Sequence, residues 1–105
     1  MAFKVIWSDF AEAQLDDIYE FYKNEASTRV AKKLLKELIN EAQKLSKSPK
    51  IGQVEQLLTK RVIEYRYLVY KNYKLIYSID TKNEYIKVAD VFDTRQNPTK
   101  IEREK

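Results

Sequence analysis

YRYLVYKNYKLIYSIDTKNEYIKVADVFDTRQNP, residues 65–98, is the stretch that decides how this chain folds. Apolar and polar residues alternate along it with the period of a strand that has one buried face, and short polar clusters separate the runs. The alternation predicts strands at about Val62–Tyr70, Tyr73–Asp80 and Tyr85–Phe92, with turns at Lys71-Asn72 and Thr81-Lys82-Asn83. The last run leads into Asp93-Thr94-Arg95-Gln96-Asn97-Pro98, a polar and basic ending where a buried strand would simply stop. A cation held at the rim of a tyrosine-rich sheet suits a phosphate-bearing partner.

Two registers are open for the first hairpin. With a two-residue turn at Lys71-Asn72, Tyr70 faces Tyr73, Val69 faces Lys74 and Tyr67 faces Ile76. Leu68, Leu75, Tyr77 and Ile79 then share a core face with Arg66, and Tyr65, Tyr67, Lys74 and Ser78 lie on the other, open side. A three-residue bulged turn would instead bring Arg66 and Lys74 together.

Upstream of this stretch, Phe3–Trp7 (FKVIW) reads as a short strand, and Ser8 as the N-cap of a helix with Asp9 and Glu12 in its first turn. Ala11, Leu15, Ile18, Tyr19 and Tyr22 form the apolar stripe of that helix, with Glu12, Asp16, Asp17 and Glu20 outside it. Asn24–Ser27 interrupts the pattern. A second helix follows to about Leu45, burying Val30, Leu34, Leu35, Leu38, Ala42 and Leu45 and exposing Arg29, Lys32, Lys33, Lys36 and Lys44. Residues 46–52 (SKSPKIG) are turn-forming, and Val54–Thr59 is a connector without a readable pattern. The order β-α-α-β-β-β makes the class α+β in two layers, a helical hairpin packed on an antiparallel-rich sheet.

The 105 residues suffice for one small domain, residues 1–105, with one core. The chain has no cysteine and no histidine. That excludes disulfides, thiolate chemistry, Cys-ligated metals and the usual proton shuttle, so chemistry would fall to Lys, Arg, Tyr, Asp, Glu, Ser or Thr with no cofactor or metal expected. Glu12, Asp16 and Asp17 sit in no divalent-ligand motif. No apolar run reaches the ~20 residues of a membrane span and no signal-peptide pattern opens the chain, so a cytoplasmic location is expected. The net charge of +4 is compatible with nucleic acid or an acidic protein partner.

In the two-residue register, Tyr65 and Tyr67 lie near Lys74 on the open face, with Arg95 arriving from the last strand. Rings beside cations are what single-stranded RNA binding requires, and Lys74 and Arg95 could stabilise the added charge of a phosphorane. Such a face also arises with no ligand, because tyrosines prefer strands and lysines prefer solvent.

Where Tyr73-Lys74-Leu75-Ile76-Tyr77 is followed by Val91-Phe92-Asp93-Thr94-Arg95-Gln96-Asn97-Pro98, the chain resembles the RelE/ParE toxin superfamily of bacterial type II toxin–antitoxin modules. The likeness extends over nearly the whole chain, including the Ser48-Pro49 turn. A family Tyr-Arg-x-x-Tyr strand reads YKLIY here, with Lys74 at the basic position; Arg95 matches the post-strand arginine, and Arg66 a basic residue on the preceding strand. The resemblance implies a growth-inhibiting toxin neutralised by a cognate antitoxin. RelE-like members cut mRNA on the ribosome without a metal; ParE-like members bind DNA gyrase and are not nucleases. On the first reading Lys74, Arg95 and Arg66 are catalytic phosphate and transition-state binders, and Tyr65 or Tyr67 stacks on a base or transfers a proton. A degenerate module that only binds antitoxin is a third reading. The chain departs from the nuclease pattern in two places: residues 99–105 (TKIEREK) offer no late Tyr or His, and Lys74 lacks the planar fork of arginine.

Overall fold

The computed structural model describes residues 2–55 and 63–95. Strand β1 (Lys4–Trp7) ends at Ser8, whose extended backbone and side chain start helix α1 (Asp9–Glu25). Ser8 Oγ accepts from the Ala11 N–H at 3.0 Å, satisfying a donor that the first helical turn cannot. Ser27 repeats the device for α2 (Thr28–Gln43), its Oγ accepting from the Val30 N–H at 3.1 Å. Only Ala26 and Ser27 separate the helices, so they fold back as an antiparallel hairpin.

After α2 the chain passes through two 3-10 turns, Lys44–Ser46 and Pro49–Ile51, into β2 (Gln53–Val54). Strands β3 (Arg66–Tyr70), β4 (Tyr73–Asp80) and β5 (Tyr85–Asp93) follow. The sheet order is β1-β5-β4-β3-β2; β1 runs parallel to β5, and the other pairs are antiparallel. β2 straddles the start of the Val54–Thr59 connector and shows no readable pattern, since two residues cannot display a period. The expected start of the third strand at Val62, and most of the Val54–Thr59 connector, lie outside the described residues.

The hairpin covers one face of the sheet. Leu15, Leu34 and Leu38 meet Tyr73, Leu75 and Val91; Ala11 and Ala42 meet Val88; Leu45 meets Tyr77 and Ile86. Ala31, rather than the expected Val30, begins the buried stripe of α2, and Val30 is 45% exposed. The stripe 31-34-38-42-45 holds helical spacing, and residue 30 falls about 100° off it.

Lys71 has φ 54°, the left-handed backbone of a two-residue hairpin turn, and Tyr70 pairs with Tyr73, Val69 with Lys74 and Tyr67 with Ile76. The two-residue register therefore holds, and Arg66 stands opposite Tyr77 rather than beside Lys74. Between β4 and β5 the register slips: Ile76 pairs with Asp90 but Tyr77 with Val88, leaving Ala89 as an extra residue. This bulge lets Val88 and Val91, three positions apart, both face the helices.

The single glycine has a packing reason. Gly52 N–H donates to the Tyr77 hydroxyl at 3.1 Å, and that hydroxyl donates to the Pro49 carbonyl at 2.6 Å. A Cβ on residue 52 would press into the Tyr77 ring and hydroxyl and reach 2.7 Å from the Tyr67 carbonyl oxygen. Gly52→Ala should therefore lower stability by about 1–3 kcal/mol, the usual cost of overpacking, read as a fall in the urea midpoint with unchanged slope.

Candidate functional site

Lys74 rises from the start of β4 on the face without helices. Its Nζ lies 2.9 Å from Glu55 Oε1 and 4.3 Å from the centroid of the Tyr67 ring. Glu55 is buried, with its side chain 4% exposed against 23% for that of Lys74. The ladder fixes this carboxylate, because the Glu55 N–H donates to the Tyr65 carbonyl at 2.8 Å just beyond β2. The Tyr67 hydroxyl donates to Gln53 Oε1 at 3.1 Å, completing an edge of alternating polar and aromatic groups.

This face is less open than the alternation suggested. Tyr65 is buried and packs with Ile76 and Phe92 in a second small apolar cluster, with Tyr67 and Ala89 at its margin. Of the two candidate stacking rings, Tyr67 is the half-buried one beside the cation.

Arg95 does not join Lys74. Its Nε donates to Asp93 Oδ1 at 3.0 Å and its Nη2 to Oδ2 at 2.7 Å, a two-point fork reinforced by the Arg95 N–H on Oδ1 at 2.9 Å. Arg95 and Asp93 line a cleft of about 320 Å³ with Gln14, Asp17, Ile18 and Phe21 of α1, on the helix-bearing side. The expected meeting of the two cations on the open face would need unbroken alternation along β5. The bulge at Ala89 shifts that alternation by one, so Asp93 pairs beside Tyr73 on the core face and Arg95 follows it.

Arg66 is also on the helix-bearing face, at the start of β3 opposite Tyr77. Its Nη1 donates to the Gly52 carbonyl at 2.9 Å, and its Nη2 lies 3.3 Å from Glu64 Oε1. The three candidate cations thus occupy three separate places, each with an intramolecular acceptor. Glu55 went unnoticed in the sequence because it stands in a patternless connector. The available signal was Lys74 itself, since an ammonium on a half-buried sheet face needs a counter-ion nearby.

The electrostatics follow these contacts. The Arg95 side chain holds the Asp93 carboxyl at about 2, below its ordinary 3.8, and Asp93 raises the guanidinium in return. The Asn83 side chain and N–H hold Asp80 at about 2, bracing the turn before β5. Burial pushes the Tyr73 hydroxyl upward, as does its donation to the Tyr22 oxygen at 3.4 Å. Burial likewise raises Tyr77, opposed by the Gly52 N–H and by Arg66.

Both aspartates have folded pKa values below their unfolded ones, so each stabilises the fold above about pH 4 and loses that contribution as pH falls toward about 2. Thermal melts between these limits should show stability dropping with acid. Asp93→Asn should flatten part of that slope, and an unchanged slope would count against the fork.

Among the described residues, no group of three or more His, Cys, Asp or Glu side chains is placed to hold a metal ion. Nor is any helix among them long and apolar enough to cross a membrane.

A family model described as the ParE toxin of the type II toxin–antitoxin system parDE matches residues 5–98. Among solved structures, the chain is similar to one from a chromosomal ParDE toxin–antitoxin system of P. aeruginosa, at 16% identity and TM-score 0.72, covering 88% of this chain and 96% of that one. It is also similar to a chain of the RelBE2 toxin–antitoxin complex of Mycobacterium tuberculosis, at 17% identity and TM-score 0.65, covering 89% and 99%. No curated protein matches by sequence. At these identities the structural likenesses speak for the fold: two helices on a five-stranded, mostly antiparallel sheet.

Proposed function

The chain belongs to the ParE toxin family of type II toxin–antitoxin systems, and from that premise we propose that it arrests growth by binding and inhibiting DNA gyrase rather than by cutting RNA. One observation carries the choice: Lys74, the cation at the phosphate-binding position of nuclease relatives, is held by the buried carboxylate of Glu55. A metal-free ribonuclease needs several groups preorganised on one phosphate, and each missing donor costs about 10²–10³ in rate. Here Lys74 and Arg95 are on opposite faces, Arg66 is engaged by Gly52 and Glu64, and the chain has no histidine to move a proton.

A cognate antitoxin is part of the proposal. The similar solved structures come from ParDE and RelBE2 toxin–antitoxin systems, and the family defines a two-component module. The antitoxin would be a short neighbouring reading frame whose product binds this protein tightly.

Ribosome-dependent mRNA cleavage is the second reading. It is favoured by the Tyr67 ring beneath the Lys74 ammonium, a stacking surface next to a cation. Two assays separate them. Purified protein added to gyrase and relaxed plasmid should block supercoiling, and induced expression followed by primer extension should show no codon-positioned breaks in mRNA. Breaks with unaffected supercoiling would overturn the gyrase reading in favour of the nuclease. Neither effect would leave a module that only binds antitoxin.

A further inference from the structure

We propose that this chain associates head to tail with a second copy of itself, Phe21 of one molecule entering an apolar pocket at the far end of the sheet of the next. The inference is independent of the choice between gyrase and RNA as target.

The pocket has a volume of about 540 Å³, with Phe3, Pro49, Ile51 and Ile79 among its walls. That size is within the range of cavities that bury a ligand group, and Ile51 is 54% exposed, so this wall faces solvent. An exposed lysine adjoins the pocket on each segment that builds it: Lys4 follows Phe3, Lys47 precedes Ser48, Lys50 lies between Pro49 and Ile51, and Lys82 follows Thr81. Among the described residues none of these lysines forms an ion pair. Asp80 beside them is already taken up by Asn83 and Lys87, which leaves the half-buried Glu84 as the opposing charge in that turn. A fitting occupant therefore carries a bulky apolar side chain among carboxylates.

Helix α1 offers that combination. Phe21 is 54% exposed, and Asp17 and Glu25 stand one turn before and one turn after it on the same stripe, with Glu20 adjoining. These three acids are exposed, and among the described residues none is in an ion pair. Arg95 lines the cleft beside Phe21, but its charge is committed to Asp93. Each surface supplies the charge that the other lacks.

The two surfaces cannot meet within one molecule. Phe21 borders the same cleft as Tyr73, whereas Ile79 walls the pocket, and these residues mark opposite ends of β4, about 20 Å apart. The contact joins two different patches and is heterologous, so either patch can be removed from one copy while the other stays intact.

Sedimentation velocity and light scattering of the full chain, up to about 1 mM and at low and high salt, test the proposal, since one anchor and its rim make a weak contact. The native mass should rise above the 12.5 kDa of one chain with concentration, and the rise should shrink with salt because the charges are exposed. Phe21→Ser and Ile51→Asp should each weaken self-association by more than about tenfold, the effect of losing an aromatic anchor or its pocket. Mixed in equal amounts, the two variants should form a two-chain complex that grows no further, because one intact Phe21 and one intact pocket remain. Urea midpoints near that of the native protein check that both are folded; if Ile51→Asp is not, Lys50→Glu at an exposed position takes its place. A native protein that stays monomeric at every concentration would leave the pocket to a different occupant and overturn the proposal. Association that survives either change, or a mixture that stays monomeric, would overturn it as well.

Discussion

Lys74→Met is expected to destabilise the protein by about 3–5 kcal/mol, the range for breaking a buried ion pair by removing one partner. The cost comes from Glu55, whose side chain is 4% exposed and would lose the ammonium that Lys74 holds 2.9 Å from its Oε1. The reverse change, Glu55→Met, should cost less, because Lys74 is 23% exposed and retains both water and the Tyr67 ring. Replacing both by methionine should recover most of the loss, since the pair's net contribution over an apolar pair is small. Urea melts of the two single variants and the double variant form the cycle that measures this. Equal costs for the two single changes would contradict the asymmetry. There is a practical corollary for toxicity assays: loss of toxicity in Lys74→Ala has to be read beside a melt, because an unfolded toxin is also harmless.

The second large effect is expected at Tyr77. Tyr77→Ala should cost about 3–5 kcal/mol, because a fully buried aromatic leaves a cavity among Leu45, Ile86 and its partly buried neighbours. Tyr77→Phe isolates the hydroxyl. It keeps the ring but leaves the Pro49 carbonyl and the Gly52 N–H without the partner that joins them, at about 1–3 kcal/mol. The hydroxyl ties the turn before β2 to the centre of the sheet, so hydrogen exchange of the Gly52 amide should accelerate in Tyr77→Phe more than that of amides in α1. Uniform acceleration would mean that the bond has no local role.

Much of this architecture could be read from the chain. The cap at Ser8 and the helical stripes give the hairpin of helices, and Lys71-Asn72 marks the first β-turn while leaving two registers open, because each rests on local chemistry. β2 escaped because it is too short to carry a pattern, and with it went Glu55. The placement of Arg95 escaped for a different reason. A period-two reading keeps phase only while the ladder is regular, and nothing in Val88-Ala89-Asp90-Val91 announces an extra residue except two valines at the wrong spacing for one face. The candidate site was thus legible in its residue types and not in its grouping.

That slip at Ala89 gives the fold a simple form of evolutionary leverage. Everything beyond it in β5 inherits its side of the layer from one residue's worth of strand length, while the helices and the hairpin upstream are unaffected. In a sister chain whose last strand paired evenly throughout, Arg95 would be handed across the sheet to stand with Lys74, and Asp90 would be driven under the helices. A lineage could in this way regroup its basic side chains, and with them its choice of victim, without redesigning its scaffold.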